Sequence, residues 1–308
     1  MDVLSPTSQQ RARAFVMTHA RPLERAIYAV EFEDGPVDAV WSALAAFQNA
    51  DGGFGHALEP DFRIPASSAL ATTTGLQVLR EYGAPSSHPL VEGSMSYLLA
   101  TYDAANQVWP IIPPYDAAIP HAPWWGYSDD TADGWGGYRF NPTAEVVGYL
   151  HDYADLVPDA LRGSLTDVTL MRVERAVDEM QVFDLHCCAR LVATTALPPA
   201  ARERLQGLLS PVVDRLVVTD ASEWHKYVMA PLELIDGPDA PFADRPAAAV
   251  QENLDYVVAH QAASGAWEPA WTWGPAFPEV WPKAKAEWAG VITIRMLKIL
   301  KRFGRLEG

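Results

Sequence analysis

Basic residues are scarce. Lys and Arg total 23 among 308 residues, against 39 Asp and Glu, for a formal net charge of −16. A chain this acidic repels phosphate backbones and anionic lipid surfaces, and no local basic block reverses the sign, so nucleic acid is excluded as a partner. Cysteine is nearly absent. The two thiols, Cys187 and Cys188, are adjacent, and neighbours at that spacing on a helix do not face each other, so an ordinary disulfide is not expected. Free buried thiols fit a reducing compartment, which makes the cytoplasm the expected location. No apolar run is long enough to span a bilayer, and the first residues, MDVLSPTSQQRARAF, lack a basic stretch followed by an apolar one. No transmembrane segment and no signal peptide are therefore expected. Strand-like alternation is also scarce, and no long stretch combines Gly, Ser and Pro as a linker would. With 49% hydrophobic residues, the chain can bury a large core, and the expectation is one continuous domain over 1–308.

What is present is helical periodicity. Val37, Val40, Leu44 and Phe47 recur at helical spacing before a glycine cluster stops the run. Pro22 suits a first-turn position, and Ser67 and Ser68 suit N-caps. Further helices are predicted around LREYG, SYLLATY, TAEVVGYL, LMRVERAVDEM, HCCARLVATTAL, ARERLQGLL, WHKYVMAPLELI, AAAVQENLDYVV and WAGVITIRML. Some are amphipathic. Others are small and apolar on most sides and so must be buried on most sides. Alternation of the two kinds predicts an all-α fold, an α/α toroid of about five to six helical hairpins in two concentric layers. Two long segments break the pattern, 106–141 and 264–285, both rich in Trp, Pro and Gly. Loops of that length are often functional, and in a toroid they would lie over one mouth of the cavity.

The helix-end motifs carry a family resemblance. QNADGGFG at 48–55 and QAASGAW at 261–267 each follow an amphipathic helix. They resemble the Gln–Trp repeat and related DGGF-type turn of the terpenoid cyclases and protein prenyltransferase β subunits. In that superfamily a Gln at the end of an outer helix ties down the following Gly-x-aromatic turn. The resemblance implies Gln48 and Gln261 as ties and Phe54 and Trp267 as plugs, with the segment ending at Trp109 as a degenerate copy lacking the Gln. The logic is physical as well: a side-chain amide can satisfy orphan groups at a helix end, glycine permits the reversal, and the aromatic fills the gap.

Several residues could carry chemistry. Asp129, Asp130 and Asp133 read as DDxxD, resembling the magnesium–diphosphate motif of class I terpene synthases, although here the motif runs directly into GWGG. The same stretch contains DDTA, part of the class II cyclase DxDDTA, with Tyr127 where the family has its first Asp; Asp130 is then the candidate acid, and a solvated acidic loop is the structural alternative. His56, Glu59, Asp61 and Arg63 share a loop stiffened by Pro60 and Pro65. They could run acid–base chemistry or bind an oxyanion, or form a salt-bridged network. Aromatics beside carboxylates form a third group: Trp109, His121, Trp124, Trp125, Tyr127, Trp135 and Tyr138 in one long loop region, and Trp271, Trp273 and Trp288 in or beside the other. Such rings stabilise cations, stack on sugars, or plug a mouth with apolar bulk. Glu145 and His225 open further interior helices and are candidate ligand contacts. No set of zinc ligands with recognised spacing occurs, so no metal site is assigned.

The resemblance implies a terpene cyclase-like enzyme acting on a small apolar or isoprenoid ligand by acid-initiated cyclisation, with Asp129, Asp130, Asp133, His56, Glu59 and Asp61 as the catalytic candidates. No resident cofactor is implied; Mg²⁺ enters only with a diphosphate substrate. A carbohydrate-active toroid, lyase or hydrolase, and a non-catalytic ligand- or protein-binding toroid are the alternatives. Oligomeric state is not legible.

Overall fold

The computed structural model describes residues 1–127 and 140–307. Among them are twelve α-helices, in two compact units formed by residues 1–44 with 217–308 and by residues 45–216. The first unit holds α1 (Pro6–His19), α2 (Pro22–Phe32), α3 (Val37–Ala45, which ends at the unit boundary), α10 (Pro231–Leu234), α11 (Ala247–Ala259) and α12 (Trp281–Arg302). The second holds α4 (Ala69–Glu81), α5 (Pro89–Thr101), α6 (Thr143–Asp152), α7 (Asp159–Ala176), α8 (Val182–Val192) and α9 (Pro199–Leu216). No helix is long and apolar enough to cross a membrane.

Local chemistry sets the helix starts. The Ser68 side chain accepts from the Ala71 N–H at 3.0 Å and caps α4. Proline occupies the first turn of α1, α2 and α5, where its missing N–H costs nothing. At the start of α8, Gln181 N–H donates to Asp184 Oδ2 at 3.2 Å as half of a capping box.

The two kinds of helix expected from composition are both present. Every residue of α6 except Asp152 is buried, whereas α1 buries only Ala12 and Val16. In the second unit α6 packs against α4, α7 and α8, and α9 packs against both α7 and α8. In the first unit α12 packs on α1 and α2. The all-α hairpin organisation and the packing of first helix on last are those of an α/α toroid.

The helix predicted over 224–235 is not formed. A short 3-10 turn at Ala221–Glu223 and an irregular segment precede the four-residue α10. The buried Trp224 ring instead donates from Nε1 to Val218 O at 2.7 Å, and Val218 N–H pairs with Met229 O at 2.9 Å. Pro231, which cannot sit in a helix interior, starts α10. The second long loop is also shorter than predicted, because α12 begins at Trp281.

Three helix-end turns share one geometry. Gln48 Nε2 donates to Gly52 O at 2.9 Å and to Leu90 O on α5 at 3.0 Å. Gln261 Nε2 donates to Gly265 O at 2.9 Å and to Ser8 O on α1 at 2.9 Å. Each tie therefore fixes its own turn and the first part of another helix. Gly52 and Gly265 have φ of 86° and 90°, and a Cβ on either would strike the backbone of the neighbouring helix, at Gly93 and Arg11. The aromatic that follows is buried in both turns, and its backbone N–H donates to a threonine of the next helix of its hairpin: Phe54 to Thr72 at 3.0 Å, Trp267 to Thr293 at 3.1 Å. The third copy lies at 103–109. Trp109 N–H donates to Thr143 Oγ1 at 3.2 Å, and its indole donates to Leu98 O at 2.6 Å, just as the Trp267 indole donates to Val257 O at 2.9 Å.

Candidate functional site

The buried faces of α4, α6 and α8 carry a polar cluster. Its centre is Glu145, 2% exposed on the first turn of α6. Glu145 Oε1 accepts from Gln77 Nε2 of α4 at 2.8 Å and from the Tyr149 hydroxyl at 2.5 Å. Glu145 Oε2 accepts from Arg190 Nη1 of α8 at 2.8 Å. A carboxylate removed from water is tolerated only when paired and hydrogen-bonded, and all these donors meet that demand. Cys187 completes the surround, its Sγ 3.6 Å from Asn141 Oδ1 and 3.9 Å from Glu145 Oε2.

The cluster extends one step further along α4. The Arg80 guanidinium lies 5.1 Å from the centroid of the Tyr149 ring and 3.4 Å from Asp152 Oδ2. Two arginines, on α4 and α8, which both pack on α6, are thus each backed by a carboxylate.

Burial and charge divide the roles. Burial, then the nearby Glu145, holds the Tyr149 hydroxyl well above its ordinary 10.0, so it stays protonated and donates. Burial likewise raises the Cys187 thiol and keeps it uncharged. Burial works against the charge on Arg190, but Glu145 together with Cys187 and Tyr149 outweighs it, and the guanidinium is held more firmly protonated. Burial raises Asp152, and Arg80 opposes the shift. Tyr149 and Glu145 are closed off from solvent, while the Arg190 side chain is 38% exposed and that of Arg80 27%. The exposed part of the cluster is therefore contributed by the two arginine side chains, with Glu145 and Asp152 paired to them.

The loop preceding α4 forms a second feature. His56 and Ala57 lie consecutively in the left-handed region, with φ of 55° and 61°, a conformation costing non-glycine residues about 1–3 kcal/mol each. Backbone bonds hold them there, including His56 N–H to Ile64 O at 3.0 Å. Asp61 is buried, Glu59 and Arg63 are half-buried, and Arg63 donates to Pro60 O at 3.2 Å. Ala122 N–H donates to Asp61 O at 2.8 Å, which brings this loop against the start of the other candidate region.

There the aromatics pack on one another. Phe62 meets Tyr115 and Trp125 with ring centroids 5.4 and 6.1 Å apart, and Tyr115 meets His121 and Tyr127. Ile64, Ile111 and Ile112 complete a small core under these rings. Trp124 remains exposed. Trp109, a predicted ligand contact, is buried as the plug of the third turn. In the first unit Trp271 packs edge-on against Trp288 at 5.1 Å and beside Tyr227 at 5.2 Å. Trp273 is buried against Trp281, and His225 is exposed. Asp129, Asp130, Asp133, Trp135 and Tyr138 lie outside the described residues.

No protein-family model, curated protein or solved structure matches this chain. Function therefore rests on the residues and distances given above. Among the described residues, no three His, Cys, Asp or Glu side chains come together as a metal site.

Of the cluster on α4, α6 and α8, sequence reasoning singled out Glu145 alone. Gln77, Arg80, Tyr149 and Arg190 were legible by one signal, a polar or charged residue within a helix otherwise apolar on most sides. Glu145 and Tyr149 also stand four apart, on one helix face.

Proposed function

We propose that this chain is a terpene cyclase-like enzyme whose isoprenoid substrate carries an oxyanion bound by Arg190. The observation that carries this reading is the pair Arg190–Glu145: an arginine fixed at one guanidinium nitrogen by a buried carboxylate, with its side chain still over a third exposed. Guanidinium groups hold phosphate and carboxylate oxygens in pairs. Arg80, backed by Asp152, supplies a second such group from α4. The Gln-tied turns support the cyclase-like architecture.

In this reading Arg190 and Arg80 bind and orient the charged end, and the proton donor is a separate carboxyl group. Asp61, buried beside the Phe62 aromatic core, and Asp130 are the candidates. The Glu145 carboxylate is excluded as donor because its oxygens already accept from Gln77, Tyr149 and Arg190. Mg²⁺ belongs to this reading only as a companion of a diphosphate substrate.

The test is product analysis after incubation with geranylgeranyl diphosphate, with and without magnesium. A product of unchanged mass and altered retention, lost in Asp61→Asn or Asp130→Asn, supports acid-initiated cyclisation. Recovery of unreacted substrate throughout contradicts it.

A carbohydrate-active function draws on a different observation, the Tyr227–Trp271–Trp288 ledge, where Tyr227 is 61% exposed. Exposed aromatic faces stack on sugar rings. Depolymerisation of an acidic oligosaccharide would favour this reading over the first.

A further inference from the structure

A chain of side-chain hydrogen bonds ends on His56. Asn49 Nδ2 donates to Pro65 O at 2.9 Å and to Ser67 Oγ at 3.0 Å. A carbonyl oxygen can only accept, so the nitrogen of the Asn49 amide must face Pro65, and its oxygen faces the other way. That oxygen lies 2.8 Å from His56 Nε2. His56 Nε2 must then carry the proton and donate. Ser67 Oγ, which accepts from Asn49, donates in turn to Asp51 Oδ1 at 2.7 Å, and the same Asp51 oxygen accepts from Gly53 N–H at 3.0 Å. Every donor in the sequence His56, Asn49, Ser67, Asp51 is used in one direction, and the sequence ends on a carboxylate.

The consequence falls on the other ring nitrogen. In a neutral imidazole one nitrogen donates and the other accepts, and the bond made by the first fixes the role of the second. With Nε2 committed to Asn49, Nδ1 holds the lone pair. His56 is exposed, and its backbone is held in the left-handed region at φ 55°. None of its partners belongs to the Glu145 cluster.

We propose that His56 is a separate reactive site, an imidazole presented Nδ1-outward to accept a proton from a hydroxyl- or amine-bearing ligand, with Asn49, Ser67 and Asp51 as its positioning residues. The site needs no metal.

Alkylation of the folded, full-length chain with bromoacetate reads this directly. Attack forms an N–C bond, breaks the C–Br bond and releases bromide, and the ring then loses its remaining N–H proton to water. The two ring positions give distinguishable carboxymethyl-histidines on peptide mapping. His56 should be modified at Nδ1. His260 is the internal control: its Nδ1 lies 2.8 Å from Tyr256 O, so it donates there and the ring should react at Nε2. Asn49→Leu should shift His56 modification substantially onto Nε2, with circular dichroism confirming the fold. The conservative Ser67→Ala, which keeps Asn49 bonded to Pro65, should leave the preference in place but weaken it. Modification of His56 at Nε2 in the parent chain, or its failure to react while His260 does, overturns the proposal. Unchanged Nδ1 selectivity in Asn49→Leu overturns the positioning role.

Discussion

Arg172 reaches from α7 to the carbonyl of Gln107, with Nη1 donating at 2.8 Å. Gln107 stands four residues after Asp103, as Gly52 stands after Gln48 and Gly265 after Gln261. In those two turns the donor to this carbonyl is the turn's own glutamine. In the third the glutamine is replaced by Asp103, which caps its own turn through Ala105 and Asn106, and the donor arrives from another helix. Arg172 Nη2 also takes Asn106 O at 2.7 Å. Each of the three ties still joins a helix end to another helix: in two the turn supplies the donor, and in the third the other helix does.

Arg172→Ala should therefore destabilise the chain by about 1–3 kcal/mol, the cost of stranding acceptors in a partly buried turn. Gln48→Ala should cost a similar amount. Gln107 has φ 56°, and Gln107→Gly should recover about 0.5–1 kcal/mol by removing left-handed strain. Urea unfolding of the three variants checks all of this.

The Glu145–Arg190 pair predicts a second pattern. Removing one partner of a fully buried pair costs about 3–5 kcal/mol, and exposed pairs are worth about 0–1 kcal/mol. With Arg190 partly exposed, Arg190→Met should cost about 2 kcal/mol by stranding the buried carboxylate. The double variant Glu145→Leu with Arg190→Met should be more stable than Arg190→Met alone, because no unpaired charge is left behind. Equal or additive losses in equilibrium unfolding would contradict this.

His151 gives a pH dependence. Its ring lies 2.8 Å from Thr166 Oγ1, which itself donates to Arg162 O at 2.8 Å, so His151 Nε2 donates. Burial, then Arg162, depresses its pKa below the ordinary 6.5. The unfolded chain therefore binds this proton more readily than the folded one. The stability contributed by the neutral ring is fully present above about pH 6.5 and is lost as pH falls toward the folded pKa, with a slope of at most about 1.4 kcal/mol per pH unit. His151→Gln should flatten this part of a melting-temperature profile.

Asp184 works in the opposite direction. Burial raises its pKa, the Gln181 N–H opposes the shift, and Oδ1 finds no donor among the described residues. The folded pKa lies above the unfolded one, so the stability contributed by the protonated carboxyl is present at low pH and lost as pH rises through the folded value. Asp184→Asn should gain on the parent chain as pH rises from 3 to 7. A constant difference between the two would mean that Asp184 titrates alike in the folded and unfolded chain.

The sequence made the helical class legible because its signals are local: caps, first-turn prolines, and helices apolar on most sides. The Gln–Gly–aromatic turns were legible for the same reason, since tie, glycine and plug stand within seven residues. Their threonine partners were not, because Thr72, Thr143 and Thr293 lie 18, 34 and 26 residues away. The candidate site was harder still. Glu145, Gln77 and Arg190 come from three helices, and nothing local joins them. The helix expected over 224–235 failed because Trp224 gains more by burying its ring and satisfying its indole N–H than helix continuation offers.

Oxyanion binding by Arg190 is tested by calorimetric titration of geranylgeranyl diphosphate, with geranylgeraniol and oligogalacturonate as comparators, into the parent chain and into Arg190→Met. The diphosphate should bind the parent, the uncharged alcohol should bind more weakly, and Arg190→Met should lose about tenfold or more in diphosphate affinity, or roughly 1.4 kcal/mol. Equal affinity of parent and variant for the diphosphate, or binding of oligogalacturonate with no isoprenoid bound at all, would contradict it.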